Sequence, residues 1–168
     1  PACLVWLAWG GCERSSQDRW HEAQRLWQER DLVPAYRAFA GLDPASEEGR
    51  EARERLRAAE THYRAAIARL QSGQDGAREE LDAGMAIAPM DPRLYLPLAR
   101  AFRARGLPLR AAAAYRRFLS STERGASEAG RADPERAAAQ QELSQLDPEA
   151  DAFSVLTAPP PTPGRALA

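Results

Sequence analysis

The chain has 168 residues, enough for one helical domain, and 44% of them are hydrophobic. Its formal net charge at pH 7 is −1, which argues against a nucleic-acid-binding surface and against an acidic tail. All 23 cationic side chains are arginine, which reflects either codon usage or selection for bidentate carboxylate binding.

The first twelve residues contain an apolar run and the only two cysteines, Cys3 and Cys12. Residues 4–9 are too few to span a bilayer, but they suit the apolar core of a secretory signal. Gly10, Gly11 and Cys12 follow this run, and a polar stretch comes next. This order resembles a bacterial lipoprotein signal, which implies a lipidated Cys12 and an envelope location. The alternatives are an apolar N-terminal stub or a misplaced start, and the protein would then be expected in the cytoplasm.

Residues 18–44 have the pattern of two helices. One face of the first helix, from about residue 18 to 30, carries Trp20, Ala23, Gln24 and Trp27 at three- and four-residue spacing. The second helix turns Ala35 and Phe39 inward. It ends at residues 43–44, because proline disfavours helix for the residue before it.

Residues 46–89 predict a second pair with an unusually long first helix. Ser46 is a suitable N-cap, and inward-facing residues recur from Ala52 to Leu70, so this helix extends to about residue 71. A helix of 25 residues is about 38 Å long. Residues 72–76 form a turn, and we expect Asp75 to cap a short helix ending near residue 88.

Residues 92–122 form the third predicted pair. Its first helix carries Tyr95, Leu98, Ala99 and Phe102 on one face, and its second carries Ala111, Ala114, Tyr115 and Phe118. Residues 123–132 are predicted to be a linker, and Asp133 and Pro134 start a further helix that extends to residue 146. Residues 147–168 are proline-rich and are expected to be a disordered tail.

The order of residue types in these pairs resembles the tetratricopeptide repeat. It is clearest in Tyr95, Leu98, Ala99 and Phe102, and in the Ala111-x-x-x-Tyr115 that follows. Tyr63 and Tyr95 are 32 positions apart, close to the family's repeat of about 34 residues, although Gln24 replaces a small residue of the pattern. The resemblance implies an all-α fold with antiparallel hairpins (18–44, 46–89 and 92–122) stacked as a short right-handed solenoid. Residues 133–146 would then be a capping helix.

In that family the first helix of each pair lines a concave groove. By the resemblance, seven residues face the groove here: His21, Arg25, Arg64, Gln71, Leu96, Arg100 and Arg103. The helical wheel independently supports this placement. At 100° per residue, the positions one, five and eight residues after Tyr95 lie about 80 to 140° from the buried face of the helix. Arginines in a groove favour acidic peptides or the C-terminal carboxylate of a partner. For each arginine, an ordinary solvated helix flank is the alternative.

The sequence contains no pattern typical of catalysis, of a metal site or of a cofactor site. The leading hypothesis is therefore a non-enzymatic protein–protein interaction scaffold, lipid-anchored in the bacterial envelope on the periplasmic side if Cys12 is modified. Its expected partner is a protein or peptide, with no nucleic acid, and with membrane contact only through the anchor. The alternative is a structural spacer or auxiliary subunit that binds no free peptide.

Overall fold

The computed structural model describes residues 15–129 and 134–146, with side chains described outside residues 123–129. Four regions of the sequence-based interpretation lie outside these residues: the segment 1–14 with Cys12, the linker residues 130–132, the cap residue Asp133 and the tail 147–168. All regular structure within the described residues is helical, which confirms the predicted all-α class.

The described residues form seven α-helices and one 3₁₀ turn, the latter at Pro92–Leu94. The α-helices are α1 (Ser16–Gln28), α2 (Leu32–Ala40), α3 (Glu47–Ser72), α4 (Ala77–Ile87), α5 (Tyr95–Ala104), α6 (Pro108–Ala129) and α7 (Pro134–Ser144). Helices α1 and α2 pack together, as do α3 with α4 and α5 with α6, while α7 packs against α6. The three predicted helix pairs are therefore present as packed pairs.

Most helix boundaries agree with the sequence, and the disagreements have local causes. Helix α1 begins at Ser16, because Ser15 and Asp18 form a reciprocal capping box. Gly76, not Asp75, is the N-cap of α4, in a left-handed conformation and with no side-chain hydrogen bond. Helix α6 continues through residues 123–129, which the sequence assigned to a linker. This segment contains several good helix formers, which outweigh its single glycine.

The main core lies between α3, α4, α5 and α6. Its largest fully buried side chains include Tyr63, Phe102 and Tyr115. The Tyr63 hydroxyl donates a hydrogen bond to the Ala88 carbonyl at 2.7 Å, so this buried polar group is satisfied. Tyr95 and Leu98 are buried as well, so the predicted inward face of α5 is confirmed.

A second, smaller cluster lies between α1, α2 and the first half of α3. The Trp20 ring contacts the Phe39 ring edge-on, with centroids 5.3 Å apart. Ala52 of α3 belongs to this cluster, and Leu56 packs against both clusters. Helix α3 therefore contributes to both apolar cores, which accounts for its length.

Helix α2 also contacts the third pair directly. The Tyr36 hydroxyl donates to an Asp91 carboxylate oxygen at 3.0 Å, just before the 3₁₀ turn. The Arg37 guanidinium donates a hydrogen bond to the backbone carbonyl of Ser121 in α6. These contacts place α2 beside the segment that leads into α5.

Candidate functional site

The seven residues predicted to face a groove occur in different environments. His21 and Arg25 lie exposed on α1. The Arg25 guanidinium pairs with Glu22 of the same helix at 2.7 Å and with Glu29, the C-cap residue of α1, at 2.6 Å. Hydrogen bonds from Arg25 to these two carboxylates raise its pKa above the ordinary value. The charge of Arg25 is thus balanced within α1.

Arg100 and Arg103 of α5 are engaged by α7. The Arg100 guanidinium pairs with Glu142 at 2.9 Å, and Arg103 donates to the Gln145 side-chain oxygen at 2.7 Å. The Tyr115 hydroxyl also donates to Glu142. These two arginines therefore attach α7 to the α5–α6 pair.

The electrostatics of this contact favour an ionised Glu142. Burial acts to raise the pKa of Glu142, but hydrogen bonds from Arg100 and Tyr115 outweigh it and hold that pKa below its ordinary value. Burial and the hydrogen bond to Glu142 together raise the pKa of Tyr115 to about 12. Both groups thus keep the protonation states that the contact requires near neutral pH.

Leu96 differs from the other six residues, because its side chain is only 4% exposed and belongs to the main core. By its helical position Leu96 is expected beside the buried face of α5. The buried face is wider than the wheel assumed, because leucine and alanine residues surround Tyr95 on this helix. The prediction that Leu96 faces an open groove is therefore corrected: it is a core residue.

Arg64 and Gln71 lie exposed on α3. The Arg64 guanidinium pairs with Glu60 one turn earlier, at 2.7 Å. The structure thus distributes the four predicted arginines over three local networks, each with its own acidic partner. One network lies on α1, one on α3, and the third joins α5 to α7.

Sequence reasoning missed three further arginines on α3: Arg50, Arg53 and Arg57. At about 100° per residue they fall within about 60° of one another and share the face that carries Arg64. Among the ion pairs of the described residues, none involves these three arginines. Arg53 donates to the Pro44 carbonyl, which orients its guanidinium and leaves other donors unused. We call these three residues the α3 arginine stripe.

The α3 arginine stripe borders a cleft of about 220 Å³ between α2, α3 and the segment before α5. Arg53 and Arg57 form part of its wall. The remaining lining residues are Tyr36, Ala40, Leu56, Glu60, Tyr63, Pro89 and Asp91. The cleft therefore combines an apolar floor with two guanidinium groups at its rim.

The two acidic residues of the cleft already have partners. Asp91 accepts hydrogen bonds from the Arg93 guanidinium at 2.9 Å and from Tyr36 at 3.0 Å. Burial acts to raise the pKa of Asp91, but the hydrogen bonds from Arg93 and Tyr36 outweigh it and lower that pKa. Glu60 pairs with Arg64. The uncompensated charge at the cleft is therefore positive.

The spacing of the stripe was visible in the sequence, because positions 50, 53 and 57 follow the helical repeat. The lack of acidic partners for Arg50 and Arg57 was not visible, since Glu47, Glu54 and Glu60 each lie three or four positions from one of them along α3. In the structure, Glu51 pairs with Arg55 and Glu60 with Arg64. The local choice among several (i, i+3) and (i, i+4) partners decides which cations remain available.

Within residues 15–129 and 134–146, no group of three or more histidine, cysteine or acidic side chains could coordinate a metal ion. The helices of that part of the protein also include none with the length and apolarity of a membrane span. Compared with known proteins, the sequence matches no family model, no curated protein and no solved structure.

Proposed function

We propose that the protein is a non-enzymatic protein–protein interaction scaffold of tetratricopeptide type. The three packed helix pairs and the family-like residue order of the sequence support this proposal. The scaffold presents the exposed flank of α3 to a partner protein. Helix α7 acts as the capping helix, since it covers Ala112 and Ala113 of α6 with Leu143 and Leu146.

One observation carries the proposal: the α3 arginine stripe has no carboxylate partner among the described residues, although acidic side chains surround it. Guanidinium groups bind carboxylates through two parallel hydrogen bonds, so cations left without an internal partner favour an external one. Arg100 and Arg103 are instead bound by Glu142 and Gln145. The expected binding region therefore moves from α5 to α3.

The proposal includes a lipid anchor at Cys12 and a location on the periplasmic side of the bacterial envelope. The Gly10-Gly11-Cys12 sequence after an apolar run supports it. The test is the intact mass of the protein made in a bacterial host, compared with a Cys12→Ala variant. A mature protein that begins at a lipid-modified Cys12 is the expected result, and an unmodified Cys12 with residues 1–11 retained contradicts the anchor.

The alternative, a spacer subunit of a larger assembly, is favoured by a different observation. Leu107 and Leu109, at the start of α6, are 36% and 39% exposed, the largest exposures among the big hydrophobic side chains described. A neighbouring subunit would cover them. The two functions therefore use different surfaces, the α3 flank and the start of α6.

Affinity capture with the full-length protein as bait separates these functions. The scaffold proposal predicts saturable capture of a defined protein that weakens as salt rises, because exposed charges are screened over about 10 Å at 0.1 M salt. An Arg50→Gln/Arg57→Gln bait should lose this protein, whereas a Leu107→Ser/Leu109→Ser bait should retain it. The reverse result supports the spacer, and a bait that captures no protein contradicts both.

A further inference from the structure

We infer that the cleft between α2 and α3, together with the α3 arginine stripe, binds an extended acidic segment of a partner protein. This inference rests on the proposed scaffold function and identifies the chemical class of its ligand. The segment has two acidic residues separated by one residue, and an apolar residue two positions further on. The acidic side chains bind Arg53 and Arg57, and the apolar side chain occupies the cleft.

The charge of the site supports an anionic ligand. Arg50, Arg53 and Arg57 form no ion pair with described residues, while the acids of the cleft, Glu60 and Asp91, are already paired with Arg64 and Arg93. Glu54 borders the stripe but lies too far from these guanidinium groups for an ion pair. A ligand carboxylate at the rim of the cleft therefore meets arginines that no carboxylate of the described residues already occupies.

The spacing of the stripe supports an extended ligand. Four residues along an α-helix advance about 6 Å, which is the axial separation of Arg53 and Arg57. Alternate residues of an extended peptide point to the same side and lie about 6.8 Å apart. Two carboxylates in an acidic-x-acidic segment can therefore each reach one guanidinium without distortion of either backbone.

The size of the cleft supports a side chain as its occupant. Its volume is about 220 Å³, whereas pockets for drug-sized molecules and cofactors begin at about 300 Å³. The floor is formed by Leu56, Tyr63 and Pro89, which are apolar surfaces apart from the tyrosine hydroxyl. That hydroxyl is already bonded to the Ala88 carbonyl, so the floor offers contact area and no free donor.

The test uses a fluorescein-labelled heptapeptide with Glu at positions two and four, Leu at position six and Ser elsewhere. Binding to the full-length protein is measured by fluorescence anisotropy at low salt. Two control peptides replace both Glu by Gln, or Leu by Ser. We expect the Gln peptide to bind about tenfold more weakly, because both side chains lose their charge while an acceptor remains, and two exposed ion pairs together account for about that factor.

Variants of the protein locate the peptide on the stripe. Arg57→Gln should weaken binding about tenfold, and it breaks no side-chain hydrogen bond or ion pair within the described residues. Arg53→Gln should weaken it similarly, but also loses the hydrogen bond to Pro44, so Arg57→Gln is the cleaner variant. Arg19→Gln/Arg78→Gln is the control for a general loss of positive charge. Both residues are exposed and lie on other helices, and the double variant lowers the net charge by two, against one in each single variant.

Four outcomes with the peptides and variants above overturn the inference. They are equal binding of the Glu and Gln peptides, wild-type affinity in Arg57→Gln, equal loss in the Arg19→Gln/Arg78→Gln control, and no binding up to about 1 mM peptide. In the full-length protein, Asp147→Asn/Glu149→Gln/Asp151→Asn tests for an internal occupant. A tenfold gain in the peptide affinity of this triple variant would identify the protein's own acidic segment as the ligand, and would contradict the inference that the ligand is a separate partner protein. Self-association that Arg57→Gln abolishes would do the same for a second copy.

The failure of this inference differs from a failure of the scaffold proposal. If affinity capture finds a partner whose binding is unchanged in Arg57→Gln, the scaffold stands and the site is elsewhere. If the acidic peptide binds as expected but no protein is captured, the site stands and the scaffold function fails.

Discussion

Two sets of arginines on this protein differ in whether the fold supplies them with a carboxylate. Arg100 and Arg103 of α5 lie against α7, where Glu142 and Gln145 receive them. Arg53 and Arg57 of α3 border a cleft and have no carboxylate partner among the described residues. The first set holds helices together, and the second set remains available to a ligand.

The difference shows that exposure alone does not identify a binding arginine. The Arg100 side chain is 49% exposed, yet its guanidinium is committed to Glu142. Availability depends on whether the fold supplies a carboxylate, and that carboxylate comes from a helix 42 positions later in the sequence. Substitutions near the α3 arginines and substitutions in the contact between α5 and α7 should therefore have unequal effects, which range from a large loss of stability to almost none.

Gly49→Ala should perturb the α3 side most. A Cβ at position 49 would lie 1.8 Å from the Asp43 carbonyl oxygen, so the backbone of residues 43–46, which also receives Arg53, must move. We expect a loss of about 2 kcal/mol in the free energy of unfolding, because overpacking outweighs the gain in helix propensity. Urea denaturation measures it, with the exposed Thr61→Ala as control. Stability equal to wild type would contradict the tight contact.

Glu142→Gln should weaken the α7 contact by about 1 kcal/mol, since one charge is lost but an acceptor remains, and the arginines are partly exposed. The pKa of Glu142 is lowered by folding, so its contribution is present above the ordinary value near 4.5. It is lost as pH falls through the lower folded pKa. Urea denaturation at pH 7 and below pH 4 should show the difference between wild type and variant shrink in acid. A constant difference would contradict the pairing.

Tyr36→Phe should lower stability by about 0.5 kcal/mol, because Asp91 loses the Tyr36 donor but retains Arg93. The same urea measurement reports it. Peptide affinity should stay within about twofold of wild type, because the charge of the stripe is unchanged. A tenfold change in affinity would mean that the hydroxyl itself contacts the ligand.

Arg57→Ala should change the free energy of unfolding least, by less than about 0.5 kcal/mol, because this exposed cation has no described carboxylate partner to lose. Urea denaturation beside Arg100→Ala completes the comparison, since the latter should be the less stable of the two. Equal stabilities would remove the distinction between the two sets of arginines.

Much of the fold followed from residue spacing. The inward face of α5 and a long α3, expected at about 25 residues and observed at 26, were predictable because apolar periodicity and helix caps are local signals. The errors were also local. Asp75 has the right chemistry for a cap, but Gly76 adopts the left-handed conformation that the turn requires. Serine and glycine in residues 123–129 favour a linker, but their helix-forming neighbours extend α6 through this segment.

The candidate site was less predictable, because it depends on contacts between distant segments. The resemblance identified the exposed flanks of α3 and α5 but could not show that Glu142 engages Arg100. It also could not show the position of α2, whose Tyr36 helps to form the cleft with α3 and Asp91. Periodicity places a residue on a face of its own helix, whereas a binding site requires knowledge of what lies opposite.

The contribution of α3 to both apolar cores has a consequence for how the molecule opens. Because Leu56 packs against both clusters, the α1–α2 pair cannot separate from α3 without exposing part of the main core as well. The described helices should therefore open as one cooperative unit, with the amides around Leu56 among the slowest to exchange with deuterium. A ligand that binds along the flank of this helix would slow exchange in both parts of the protein at once.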